Sequence, residues 1–323
     1  MAVTAFILVL LGVSWNVMGG YAGIFSFGQA AFFGVGAYVA ILLTQHGVHY
    51  LLGLAAAAGC ASVCGFALVP CFRVRGIYFA IISLALASCL GVVANQKFPG
   101  GSGGVFADLP FGAYSAVPYY LAAGCAVLGV AVSLIVKVSP LGRDLSAIRA
   151  DQAAAESVGV NAMRCKLVAT LIGGGLAGLA GGVYATTQGF VDPGTVFNSN
   201  YSLLPILVCV LGGLGTVSGP ALGGAAWSIL NEVIRSHTTN GAYSQLLYGA
   251  ALLALALFLP RGALGIRFRR QPRSDLDRKG EAPEPERIPT SSRKQSRQAG
   301  ADHLTSECES VSGQAAVRKV LDV

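Results

Sequence analysis

The chain has 323 residues, of which 54% are hydrophobic and only 11% charged, with 43 glycines and a mean hydropathy of +0.64; an ordinary soluble domain carries about 25% charged residues. Residues 1–260 hold nine Lys/Arg and six Asp/Glu, too few to cover a soluble core of this size with a polar shell. The net charge of +7 does not mark a nucleic-acid binder, because thirteen basic and nine acidic residues lie in 261–323, a tail rather than a basic folded face.

A lipid-crossing helix needs about 20 apolar residues. The candidate spans are 2–19, 28–44, 50–70, 76–95, 114–137, 165–187, 201–217, 221–235 and 243–260. The predicted fold is therefore an all-α polytopic membrane protein of eight or nine transmembrane helices, with broken or re-entrant glycine-rich segments. The transmembrane domain is 1–260, with a loop at 138–166 within it and a tail at 261–323. The first apolar run lacks a basic leader and a clear Ala-x-Ala exit, so it reads as a span and not as a cleaved signal peptide.

Residues 20–28, "GYAGIFSFG", have the weakest helix propensity of any apolar stretch in the chain. A break at membrane depth must be buried in protein or line a cavity, because its backbone groups need partners. Ser26, Gly28, Gln29, Gly34 and Gly36 are the pathway or gating candidates there. Gln29 has a second reading as a helix–helix hydrogen bond. The cysteines at 60, 64, 71, 89, 125, 165, 209 and 308 fall mostly in oily runs and read as small hydrophobes, with no disulfide framework, metal or cofactor site indicated.

The loop 96–113 is too rich in glycine and proline for a helix and reads either as a lid over an external opening or as a plain connector. Residues 139–166 read as a short helix between two spans, with Asp144, Leu145 and Ile148 starting its rhythm and Gly159 ending it. Its small apolar residues and fixed charges suit a docking surface, and an ordinary amphipathic connector is the plainer reading. Gly174, Gly178 and Gly182 form small-xxx-small pairs that read as close helix packing. Asp192 precedes Pro193 and reads as a cap on the next turn, while Glu232 and Arg235 share a helix face.

The stretch 201–235 is one long tilted helix or a tight pair. Gly212, Gly213, Gly215, Gly219 and Pro220 at its centre favour a break. Charge placement agrees. With two spans there, the inside collects Arg73, Arg75, Lys137, Arg143, Arg149, Arg164 and Lys166 against Lys97 and Arg235 outside. This predicts an external N-terminus and a cytoplasmic, largely disordered tail whose opening "RGALGIRFRR" sits at the anionic inner surface.

The stretches "GYAGIFSFGQAAFFGVGAY", "VRGIYFAIISLALA", "GRDLSAIRADQAAAESVGVNAMRCKLVATLIGGGLAGLAGGVYA" and "VLGGLGTVSGPALGGA" together resemble the permease subunits of branched-chain amino acid ABC importers, specifically the M-type subunit, over about residues 10–260. The resemblance implies a second permease subunit, two cytoplasmic ATPases that bind the ATP, a periplasmic or extracellular binding protein, and residence in the bacterial inner membrane. It assigns 142–166 as the coupling segment, with Ala154, Ala155, Glu156 and Gly159 on the alanine–alanine–acid–glycine pattern and Arg143 and Arg149 as surface anchors. The chain departs from the family at Gln29, where relatives commonly carry histidine, and at Leu86-Ala87-Ser88, where many carry an acidic residue. It also lacks the asparagine of the outer loop at Gly100-Gly101-Ser102-Gly103-Gly104.

Importers of urea and short amides share much of this pattern and stand as the alternative substrate class. A self-sufficient carrier or channel is a further alternative. The scarcity of intramembrane ionisable groups speaks against ion coupling, and the chain has no GxxxxGK[ST] phosphate loop of its own. An intramembrane enzyme would need a partner for Ser83 or Ser88 that the sequence does not offer.

Overall fold

The structure is a computed structural model that describes residues 2–74, 76–97, 103–107 and 116–237. Helix α1 (Ala2–Trp15) runs on as a π-helical turn, Asn16–Tyr21. Irregular residues 22–28 lead into α2 (Gln29–Gln45). Helix α3 (Tyr50–Cys64) ends in two 3₁₀ turns, and α4 (Ile77–Lys97) and α5 (Val117–Val138) follow. Two short helices, α6 (Pro140–Ala150) and α7 (Gln152–Ser157), precede the long α8 (Ala162–Gln188). A single turn, α9 (Pro193–Val196), and the pair α10 (Asn200–Gly212) and α11 (Gly219–His237) close the described chain. The two-residue strands β1 (Val105–Phe106) and β2 (Phe190–Val191) pair antiparallel and strap the loop after α4 to the end of α8.

Among the described residues, six helical segments are long and apolar enough to cross a membrane: Ala2–Tyr21, Tyr50–Leu68, Ile77–Lys97, Val117–Val138, Ala162–Gln188 and Pro193–Gly212. Helix α2 is apolar but shorter, at 17 residues. The fold is therefore the polytopic helical one expected. The ninth predicted span, 243–260, and the tail lie outside the described residues.

Burial separates the centre from the rim. The segments containing α1 and α8 are 67% and 72% buried over their most apolar windows, whereas those of α4 and α5 are each 28%. Glycine explains why α8 takes the middle. A Cβ on Gly181 would land on the Phe33 carbonyl of α2, and one on Gly178 would land on the Ala61 side chain of α3. At Gly173 a Cβ would stand 2.6 Å from Met18 Cγ in the π-helical turn of α1. Such contacts let three neighbours approach the backbone of one helix. The predicted packing role of the 173–182 glycines holds.

The break in 201–235 also holds. Helix α10 ends at Gly212 and α11 begins at Gly219, and the two pack side by side, with Gly212 and Gly223 each set against the other helix's backbone.

The stretch 139–166 differs from the single short helix expected. It bends at Asp151, whose carboxylate accepts the N–H groups of Ala153 and Ala154 at 2.8 and 3.1 Å. A side chain that caps a new first turn offers the backbone an alternative to continuing the old one, so α6 stops and α7 starts there.

Candidate functional site

The irregular segment 22–28 is held by hydroxyls from several elements. Ser26 Oγ accepts from Gly28 N at 3.2 Å, Ser83 Oγ of α4 from Phe27 N at 3.0 Å, and Ser202 Oγ of α10 from Ala30 N at 3.0 Å. Trp15 Nε1 donates to the Ser26 carbonyl at 2.9 Å. All three serines are fully buried. An unpaired peptide group in an apolar interior costs several kcal/mol, roughly 2–7, so these side chains make a non-helical segment tenable at this depth.

The sequence-predicted residues at this break are distributed as follows. Ser26 supports the backbone through both its side chain and its carbonyl. Gly28 lies close to Ser83, where a Cβ would stand 3.1 Å from its carbonyl oxygen. Gly34 faces the ring of Phe197, and Gly36 faces the backbone of Gly178 in α8. Gln29 is completely buried and donates from Nε2 to Ser14 Oγ of α1, while its Oε1 lacks a hydrogen-bond partner. This geometry is that of a bond between helices. The double variant Gln29→Leu with Ser14→Ala, which removes both partners of this bond and the unsatisfied oxygen, is expected to retain uptake within about threefold, since replacing both partners of a buried hydrogen bond by apolar groups of similar shape is close to neutral. Loss of uptake at normal expression would instead make Gln29 a pathway residue.

A second irregular segment, 213–218, lies between α10 and α11. Asn16 clamps it. The amide donates from Nδ2 to the Thr216 carbonyl and accepts from Gly215 N through Oδ1, both at 2.9 Å. Asn16 was not singled out in the sequence, although it carries the same signal as Gln29: a lone amide in an oily run.

The α6–α7 elbow is bound to the bundle on one side. Leu145 is fully buried, and Ile148, Ala155 and Ala162 form a small core of their own between α6, α7 and α8. Ala155 therefore points inward, while its predicted companions Ala154, Glu156 and Gly159 are exposed, as is Arg143. Val158 at the tip of the elbow is 78% exposed, an apolar knob that the sequence reading passed over. Gln152 joins Lys166 to Glu156 by bonds of 2.8 Å on each side, which fixes the polar edge of the elbow.

Arg149 is exposed, like Arg143, and part of its side chain also reaches the bundle. Its Nη1 donates to the Gly20 carbonyl in the π-helical turn of α1. It also lines a cavity of about 190 Å³ with Gly23, Phe25, Phe72, Phe79 and Lys166. Two irregular segments and an exposed elbow thus meet at one end of the bundle.

A sequence model described as the permease component of branched-chain amino acid transport systems matches residues 1–256. The chain belongs to that permease family. It is similar to the high-affinity branched-chain amino acid transport system permease protein LivM of Salmonella typhimurium and that of Escherichia coli, each 28% identical over 297 residues, covering 81% of this chain and 69% of the relative. It is also similar to the high-affinity branched-chain amino acid transport system permease protein LivH of Escherichia coli, 27% identical over 136 residues, covering 42% of this chain and 43% of the relative. No solved structure matches the chain. As a member of this family with several membrane-length helices, the protein is a multi-pass membrane permease.

Proposed function

We propose that the chain is one of two permease subunits of an ATP-driven importer of branched-chain amino acids, resident in the bacterial inner membrane. The family match over 1–256 carries this reading. A second permease subunit is its direct partner, in keeping with the LivM and LivH relatives. A separate binding protein delivers the substrate, and one of two cytoplasmic ATPases docks on the α6–α7 elbow through Ala154, Glu156, Val158 and Gly159, all of which are exposed. The elbow end of the bundle is cytoplasmic, and so is the tail. Closure of the ATPases moves the elbow, and the bundle swings between outward-open and inward-open forms. The chain itself binds no ATP and carries no chemistry.

The test is uptake into vesicles that hold this chain, its co-permease, the ATPases and the binding protein, with labelled leucine, urea and a polar amino acid offered in parallel. Leucine is expected to accumulate only with ATP, and to stop when any partner is omitted. Urea uptake under the same dependence would keep the architecture and change the substrate. Uptake by this chain alone would replace the reading with a carrier or channel.

A further inference from the structure

We infer that Arg149 is the positioning residue that transmits movement of the α6–α7 elbow to both irregular segments of the bundle. The inference rests on the proposed docking of an ATPase on that elbow. Four features converge on this one side chain.

The first is its acceptor. Gly20 lies in the last turn of the first span, where carbonyls have no helical N–H ahead of them. The chain's own compensation there is the bond from Ile24 N to the Met18 carbonyl at 3.0 Å. The Gly20 carbonyl takes the guanidinium instead. A cation at a helix C-terminus also meets the negative end of the peptide dipoles.

The second and third are clearances. Gly23, at φ +68°, opens the irregular segment 22–28, and a Cβ there would stand 3.1 Å from Arg149 Cγ. Gly215, at φ +77°, belongs to the other irregular segment, and a Cβ there would stand 2.8 Å from Arg149 Nη1. Both positions demand a backbone conformation that side-chain-bearing residues rarely adopt. Each also leaves the arginine room to pass between the segments.

The fourth is the rigid mounting at either end. Ile148, the neighbour of Arg149 on α6, is packed into the elbow core with Ala155 and Ala162. At the far end, Asn16 ties Gly215 and Thr216 to the same π-helical turn that carries Gly20. A displacement of the elbow therefore reaches segments 22–28 and 213–218 through one side chain, by its stem at Gly23 and by its guanidinium at Gly215. A flexible lysine ammonium presents a point charge where arginine presents a planar fork with several fixed donors.

The experiment uses the complete transporter in vesicles and reads two quantities: leucine transported per ATP hydrolysed, and the yield of a disulfide between a cysteine placed at Ala154 and a cysteine in the ATPase groove. Arg149→Gln is expected to lower transport per ATP by about tenfold or more, with the crosslink kept. Arg149→Lys is expected to recover part of the loss. Gly215→Ala, which lies outside the elbow and crowds Nη1, is expected to lower the same ratio. An unchanged ratio in Arg149→Gln would overturn the inference, as would loss of the crosslink in that variant, which would make Arg149 a docking residue. Absence of the crosslink in the unsubstituted, intact complex would reject the docking reading itself, separately from any effect of Arg149.

Discussion

Gly181→Val is expected to abolish recovery of folded protein, and Gly181→Ala to lower its melting temperature sharply. Gly181 lies in α8 where that helix crosses α2. A Cβ there would fall on the Phe33 carbonyl and stand 3.0 Å from Ala37 N. Both opposing atoms belong to a helix backbone, so no rotamer change relieves the clash. The helices must separate, and the separation propagates, because Gly36 of α2 is set in the same way against the backbone of Gly178. Overpacking against mobile side chains costs about 1–3 kcal/mol; a clash between backbones belongs at or above the top of that range. Phe33 and Ala37 are both fully buried, and their packing is lost together. Gly59→Ala is the control. It lies in α3 with nothing within 4 Å of a Cβ, and it should gain about 1 kcal/mol from helix propensity alone. Thermal melts and size-exclusion profiles of detergent-solubilised protein check the pair. A Gly181→Ala variant that melts with the unsubstituted protein would mean that α2 and α8 do not cross at this contact.

Asn16→Leu is expected to retain a folded bundle and to lose leucine uptake by at least about tenfold. The substitution keeps the bulk but deprives two backbone groups of their partners, Gly215 N–H and the Thr216 carbonyl. Each buried group left unsatisfied costs about 1–3 kcal/mol. Segment 213–218 has few other ties: Thr216 bonds back to Gly213 through both its amide and its hydroxyl, which holds the turn together without fixing it to α1. The segment would therefore leave its place beside Gly20, and the elbow would lose one of the two structures it acts on. Asn16→Asp sharpens the test, since it keeps the acceptor for Gly215 N–H and sets a carboxylate oxygen against the Thr216 carbonyl. It should be at least as inactive as the leucine variant. Uptake in reconstituted vesicles, normalised to folded protein, measures both. Normal uptake in Asn16→Leu would show that the position of 213–218 does not govern transport.

Much of the fold was legible along the chain, because it depends on sums over neighbouring residues. Hydropathy over about 20 residues marked the segments that became α1, α3, α4, α5 and α8. Glycine and proline density marked the breaks at 22–28 and 213–218. The Asp192 cap was readable too, since its carboxylate accepts Thr195 N only three residues on, at 2.8 Å. The stop at Asp151 was missed although it is equally local. The alanines on both sides favour helix, and the capping bond outweighed them.

The candidate site was legible as types of residue but not as partners. The sequence by itself determined that the protein is a multi-pass helical permease with two broken segments and a polar loop at 138–166. Its apolar runs, glycine clusters and loop composition are properties of short stretches. The tertiary structure alone decided that Ala155 faces in while Ala154 and Glu156 face out, and that Gly34 and Gly36 receive Phe197 and Gly178. It also decided that Asn16 holds a segment 200 residues away and that Arg149 reaches a carbonyl 129 residues before it. Those pairings depend on which helices lie side by side. That arrangement is set by the fit of glycine faces against neighbouring backbones, and it does not follow from the composition of any one segment.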